Sequence, residues 1–333
     1  MGTIPEGLVC PRRALLAAAA SSLAVGWSGC VRRPAPSQGR LDAVWGRPGN
    51  SPGRLFRPRA ITIGPDDLLY IVDMTPRIQV FTPDGQLVRH WQPPQYDQGR
   101  PSGLALDNAG RLMVCDTHYY RVLFYTLQGQ LLEEATLGGV CGGGDGEFQF
   151  VTDAAQDRLG HYYVAQYGEY DRIQKFSPDG RFLLSLGEHG QALGQFLRPQ
   201  KLVVDQAGLV WVADACNHRV QVFDDQGRYL GQWNNLFRPC GLLIRNGLAY
   251  IGQLHTSLPV NATYPYIGAC VSVHDLSGRR LARLGAPNQG LGPGQFIAPH
   301  GLAVDSRGDI YVGEVSWAEY GSKQNPPTEV RCL

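Results

Sequence analysis

"FLRPQKLVVDQAGLVWVADACNHRVQVFDDQGRYLGQW", residues 196–233, holds four short apolar segments divided by turn chemistry. "LVV" and "LVWVA" flank "DQAG", and "RVQVF" and "RYLGQW" flank "DDQG". Alternating β-branched and aromatic residues on either side of an Asp/Gly cluster read as strand, turn, strand. The stretch therefore predicts one four-stranded antiparallel meander. Its first half recurs as "LFRPRAITIGPDDLLYIVDM" (55–74), "GRPSGLALDNAGRLMVCDT" (99–117), "FQFVTDAAQDRLGHYYVAQ" (148–166), "LFRPCGLLIRNGLAYIGQ" (236–253) and "FIAPHGLAVDSRGDIYVGEV" (296–315). Its second half recurs as "RIQVFTPDGQLVRHW" (77–91), "RVLFYTLQGQLLEEA" (121–135), "RIQKFSPDGRFLLSL" (172–186) and "CVSVHDLSGRRLARL" (270–284).

Six copies of a four-stranded unit point to an all-β, six-bladed β-propeller, because one meander cannot bury both faces but can when packed between two neighbours. The last copy has only "TEVRCL" (328–333) beyond its second strand, which leaves no residues for a fourth. "RLDAVWG" (40–46) reads like the fourth strands elsewhere. The expectation is that this N-terminal strand completes the last blade and closes the ring, which hides its edges. With 42 Gly, 23 Pro and 43% apolar residues, the composition suits short strands joined by tight turns. The formal charge is +1, with 30 basic and 29 acidic residues interspersed, so no nucleic-acid partner is expected.

Residues 1–30 differ from the rest. Arg12 and Arg13 precede a weakly apolar Ala-rich run from Ala14 to Val25, then small residues before Cys30. That order reads as an export signal, too short to span a bilayer comfortably, with a short buried helix as the alternative. It resembles a twin-arginine leader, and "WSGC" resembles a lipoprotein processing site that would make Cys30 the lipidated residue. The expected organisation is an export signal (1–30), a linker (31–40) and a propeller (41–333). The protein would then be periplasmic or in the cell envelope, touching membrane only through a lipid anchor at Cys30. The remaining cysteines are scattered without a CxxC pair, and a Cys216–Cys240 disulfide is one hypothesis.

"DACNHRVQVF" (214–223), "DTHYYRVLFY" (116–125) and the shared Pro-x-x-apolar-x-apolar-Asp opening resemble the NHL-repeat family. The resemblance implies a propeller used as a binding platform or, less often, as an enzyme. Asp73, Asp116 and Asp214, with Arg77, Arg121 and Arg219, are expected to form a repeated ring of ion pairs between strand ends.

The positions that differ between copies are Arg59, Ser102, Thr152, Gln200, Cys240 and His300, each at the mouth of an innermost strand. Loops rich in Tyr, Trp and His would rise on the same face. The expected ligand-binding residues are His300, Gln200, Arg59, His118, Tyr119, Tyr167, His218, Glu314 and Trp317, and the expected partner is a protein, peptide or glycan.

The alternative is a metal-dependent lyase or hydrolase. In the peptidyl-α-hydroxyglycine amidating lyase, which the chain distantly resembles, histidines on alternate blades hold zinc, and His300 stands where one of them would be. Gln200 and Ser102 stand at the other two places and are poor zinc ligands. A lactonase-type calcium site would call on Glu314, Asp214 and Asp153. Asp214 has its repeat role, however, and strand alternation should turn Asp153 away from the channel. No cofactor and no catalytic residue are therefore predicted, and zinc or calcium belongs only to the alternative.

Overall fold

The computed structural model describes residues 39–255, 265–327, 330 and 332–333. The expected export signal (1–30) with Cys30, most of the expected linker and the middle of the insertion 253–269 lie outside the described residues.

Each of the first five copies forms a four-stranded antiparallel sheet. The first comprises β1 (Ala60–Ile63), β2 (Leu69–Val72), β3 (Ile78–Phe81) and β4 (Leu87–Trp91). The second has β5 (Gly103–Leu106), β6 (Leu112–Asp116), β7 (Arg121–Tyr125) and β8 (Leu137–Gly138). The third has β9 (Phe150–Gln156), β10 (Tyr162–Tyr167), β11 (Arg172–Phe176) and β12 (Phe182–Leu186). The fourth has β13 (Pro199–Val204), β14 (Val210–Asp214), β15 (Arg219–Phe223) and β16 (Tyr229–Trp233). The fifth has β17 (Pro239–Arg245), β18 (Leu248–Gln253), β19 (Cys270–Asp275) and β20 (Arg280–Leu284).

The sixth copy supplies only β21 (Pro299–Val304) and β22 (Ile310–Glu314), a two-stranded sheet. This corrects the expectation of six four-stranded blades closed by an N-terminal strand: the protein has five such blades. Residues 41–46 form no strand, and Leu41–Val44 are exposed. Beyond β22 the chain coils into helix α1 (Ser316–Glu319) and a 3-10 turn (Gly321–Lys323), and Cys332 O accepts the Glu314 N–H of β22 at 2.9 Å. The chain ends still meet. Trp45 N–H donates to Leu333 O at 2.8 Å, Leu333 N–H to Trp45 O at 3.1 Å and Cys332 N–H to Gly46 O at 3.2 Å. Innermost strands β1, β5, β9, β13, β17 and β21 each lie against the next, and β21 against β1, so together they enclose a central channel.

Second strands are buried on both faces, which is why they read as continuous apolar runs. In β6, Leu112 and Val114 join Tyr70, Val72 and Tyr125 on one side, while Met113 and Cys115 join Phe148, Val151 and Tyr162 on the other. In β14, Val210 and Val212 face Tyr163, and Trp211 and Ala213 face Leu242 and Ile251. The hairpin turns follow the Asp/Gly signal: one carboxylate oxygen of Asp107 accepts the N–H groups of Ala109 (3.0 Å) and Arg111 (2.8 Å), and Asp205 does the same for Ala207 and Leu209. The fourth strand of the second sheet is cut to β8. Glu133–Ala135 coil instead, and Gly138 at φ +82° ends the pairing where a Cβ would meet Phe148 at 2.4 Å.

The recurring "R-[IV]-Q" at the start of third strands has a role the sequence did not disclose. The buried amide of Gln221 accepts Gly194 N–H at 3.0 Å and donates to Gln195 O at 2.7 Å. Gln174 holds Gly146 and Glu147 in the same way, and Gln79 holds Gly53 and Arg54. Each clamp grips the lead-in loop that carries the chain from one sheet to the innermost strand of the next. The arginines assist: Arg219 Nη2 donates to Ala192 O and Gln195 O, both at 2.8 Å, Arg77 to Arg54 O, and Arg172 to Gly144 O. The expected ring of ion pairs is thus only partly present. Asp116–Arg121 and Asp214–Arg219 pair at 2.9 and 2.8 Å, but Arg77 spends its donors on backbone carbonyls of Asn50 and Arg54.

Replacing Gln221 by Leu leaves the part-buried Gly194 N–H unpaired and removes one of the two donors to Gln195 O, whose other donor is Arg219, and should cost about 2 kcal/mol. Gln226→Leu, on an exposed turn, should stay within about 0.5 kcal/mol. Urea unfolding of the two variants checks this; equal midpoints would show that the clamp adds nothing.

Candidate functional site

Backbone register builds the channel mouth. Pro199 pairs with Asp214 and Lys201 with Ala213, so Gln200 is an extra, bulged residue. Cys240 is bulged between Pro239 and Gly241, His300 between Pro299 and Gly301, and Thr152 between Val151 and Asp153. A bulge re-aims the side chain at its centre, and here it places the variable residue at the rim of the channel. Arg59 and Ser102, just ahead of β1 and β5, complete the lining with their N–H groups bonded to Val72 O and Cys115 O.

The bulge also corrects the expectation for Asp153. It interrupts alternation, so Asp153 lines the mouth instead of turning away, and Lys201 Nζ meets it at 2.7 Å. Burial raises the Asp153 carboxyl above its ordinary range, with Lys201 opposing. Elsewhere at this level the innermost strands approach too closely for side chains: a Cβ on Gly241 would lie 2.6 Å from His300 O, and one on Gly103 2.4 Å from Thr152 O.

Part of the ring is spent on stitching neighbouring strands together. Ser102 Oγ donates to Val151 O at 3.2 Å, Thr152 Oγ1 to Pro199 O at 2.8 Å and His300 Nδ1 to Arg59 O at 2.7 Å. The His300 bond fixes its tautomer, because a carbonyl only accepts; Nδ1 carries the proton and Nε2 the lone pair. Burial and then the Arg59 charge push the His300 pKa down to about 3, so the ring is neutral at physiological pH. Arg59 is different. Its Nε is buried without a hydrogen-bond partner among the described residues.

The loop candidates divide. His118 stacks edge-on against Phe150 (5.6 Å) and His218 against Phe237 (5.3 Å), each from the adjoining sheet, so neither reaches into the channel. Burial lowers the pKa of both. Tyr119 is a stem residue, its hydroxyl accepting Gln98 N–H at 3.0 Å. Tyr167 lies between Phe150 (5.1 Å) and the guanidinium of Arg198 (4.8 Å), at the rim. Trp317 is half-buried on α1. Cys216 and Cys240 are free thiols, which corrects the disulfide; burial pushes the Cys240 pKa up to about 12.

Glu314 is not at the mouth. Its Oε1 accepts the N–H groups of Ile297 (2.7 Å) and Ala298 (2.9 Å), anchoring the lead-in loop of its own sheet. Asp73, Asp214 and Gln253 do the same for Phe56, Leu197 and Phe237. The carboxylates suggested for calcium therefore stand apart on separate structural tasks, and among the described residues no three His, Cys, Asp or Glu converge on one point. The charges that bear on His300 are those of Arg59, Lys201 and Arg198. A mouth whose histidine is surrounded by cations does not fit zinc or calcium.

The arginines that precede the prolines form a second set of rim residues, beside the variable residues that follow them. Arg57, Arg198 and Arg238 end lead-in loops at the rim, each in the left-handed backbone region (φ +58°, +59° and +43°). The signal is present as the Arg-Pro pairs that open four of the copies, at 57–58, 100–101, 198–199 and 238–239. A second surprise is a cavity of about 250 Å³ at the opposite end of the channel, lined by Ile61, Leu104, Leu202, Leu242 and Leu302 with Arg245.

An NHL repeat profile matches residues 196–223. NHL repeat-containing protein 3 of Homo sapiens is 30% identical over 270 residues, 76% of this chain and 72% of the relative. Its Mus musculus counterpart is 29% identical over 86% of this chain and 82% of the relative. Peptidyl-glycine alpha-amidating monooxygenase A of Xenopus laevis is 28% identical over 64% of this chain but 23% of its own length. Among solved structures, virginiamycin B lyase from Staphylococcus aureus superposes with a TM-score of 0.52 at 12% identity, covering 78% of this chain and 77% of that one, a likeness of fold alone.

Burial raises the Glu314 pKa to about 7, with the two amide bonds opposing. Between about pH 4.5 and 7 the folded protein holds a proton that the unfolded chain has released, so this group's stabilisation is lost as pH rises, by about 3 kcal/mol. Gln253 already fills the equivalent position, so Glu314→Gln should fold and flatten the profile. Denaturant midpoints at about pH 5 and about pH 8 test it; parallel profiles for both proteins would refute the assignment.

Proposed function

This chain belongs to the NHL repeat-containing proteins, and on that premise we propose that it is an exported binding module that takes a protein, peptide or glycan on the loop face around His300. One observation carries the reading. Positions with turn, clamp or core duties repeat from copy to copy, whereas the bulged rim residues Thr152, Gln200, Cys240 and His300 all differ and are held at one opening. A site that reads one ligand needs unlike groups at like positions; a purely structural ring does not. Export rests on the sequence of residues 1–30.

Immobilised protein should retain a partner from the native cell envelope. Tyr167→Ala should reduce that capture severalfold while stability changes by about 1 kcal/mol or less, as for surface positions. Equal capture by wild type and variant would defeat the reading.

The likeness to the amidating monooxygenase favours a second reading, a metal-dependent lyase or hydrolase with His300 Nε2 as a ligand. Metal analysis of protein purified without added metal separates the two. Near-stoichiometric zinc or calcium that disappears in His300→Ala would replace the binding module with the enzyme.

A further inference from the structure

We propose that the rim of the channel mouth is an oxyanion site, built to receive a carboxylate or phosphate group presented by the ligand. This deepens the binding reading above and rests on it.

The argument begins in the lead-in loops. The residue before each rim arginine has its N–H held by the acid or amide that ends the second strand: Phe56 by Asp73 at 2.8 Å, Leu197 by Asp214 at 2.8 Å and Phe237 by Gln253 at 2.7 Å. The arginine that follows adopts positive φ, a conformation that costs a side-chain-bearing residue on the order of 1 kcal/mol and is tolerated where the surroundings over-determine it. Three sheets hold an arginine in this state at the same opening. Glycine would occupy that conformation at lower cost, and a strained residue that instead carries a guanidinium points to use of the charge.

Those charges are not neutralised. Among the described residues, no carboxylate oxygen lies within 4.0 Å of the guanidinium groups of Arg57, Arg59, Arg198 and Arg238. The acids close by have partners of their own: Asp153, in the mouth itself, pairs with Lys201, and Asp171 holds His189 and the N–H groups of Gly168 and Arg198. Arg59 is mostly withdrawn from water, and its guanidinium pKa is lowered by burial and then by the Arg198 charge. Like charges brought together out of water are unfavourable unless an anion joins them. Planar guanidinium groups match carboxylate and phosphate oxygens two at a time. Neutral His300 adds no competing charge, and Gln200 supplies a further amide at the rim.

The mouth itself has a volume of about 10 Å³, roughly one water-sized group. It is too small for a carboxylate or phosphate, so the anionic group rests above it, against the rim arginines, and the body of the ligand lies on the loop face beside Tyr167.

The test is isothermal titration of the full chain with inorganic phosphate and, separately, succinate, with ionic strength held by sodium chloride. Saturable binding of either probe is expected, weakened about tenfold by Arg198→Gln or Arg238→Gln as for loss of a charge-assisted contact. Exposed Arg181, on the β11–β12 turn, is the control, and Arg181→Gln should bind as wild type does. Arg198 is itself exposed, so its variant should fold even if Arg59→Gln does not. No saturable heat above the chloride background, or unchanged affinity in both rim variants, would overturn the proposal. Partner capture unaffected by Arg198→Gln would overturn the assignment of acidic chemistry to the partner and leave the binding face. Saturable phosphate binding with no partner captured would keep the anion site and remove the partner.

Discussion

A single amide, repeated, governs how this molecule assembles. Gln79, Gln174 and Gln221 each sit in the middle of a third strand, fully buried, with one donor and one acceptor pointed at the backbone of a lead-in loop. The lead-in loops are part-buried where they meet the third strands, and a backbone group left there without a partner costs about 1–3 kcal/mol. The glutamine satisfies two of them at once. In these three copies it thereby fixes the loop that carries the chain from one sheet to the innermost strand of the next.

The rim inherits that constraint. Once a lead-in loop is held by its clamp and by the carboxylate or amide at the end of the second strand, the chain must turn sharply to enter the innermost strand. It does so through a left-handed arginine, a proline and then a bulged residue. In the fourth and fifth copies the same geometry therefore delivers two side chains to one opening. Below it, Gly103, Gly241 and Gly301 permit near contact of the strands, and the Asp153–Lys201 pair fills the space that remains.

Electrostatics divides the relatives' chemistry from what this rim can do. A metal centre concentrates anionic or neutral donors around a cation; here the neutral imidazole of His300 lies among Arg59, Lys201 and Arg198. The same propeller thus presents the opposite polarity at the place where the resemblance to the amidating lyase would put zinc. Fold and family membership leave that choice open, because it is made by a few rim side chains whose replacement does not disturb the clamps.

Sequence alone determined the repeat, its strand–turn–strand units and the variable positions after each proline, because period-2 alternation and Asp/Gly turns are local properties written into consecutive residues. It overstated the last copy. "RLDAVWG" has the pattern of a fourth strand, yet pairing depends on a partner strand elsewhere in the ring, and Trp45 and Gly46 bond to Leu333 and Cys332 without forming one. Asp153 was misplaced because a bulge is a mismatch between two strands and cannot be seen in either one. The purpose of "R-[IV]-Q" and the convergence of Arg57, Arg59, Arg198 and Arg238 were settled only by tertiary structure. Residues about 40 to 180 positions apart meet at the rim because the ring returns to its start, and proximity across a closed ring has no local signature.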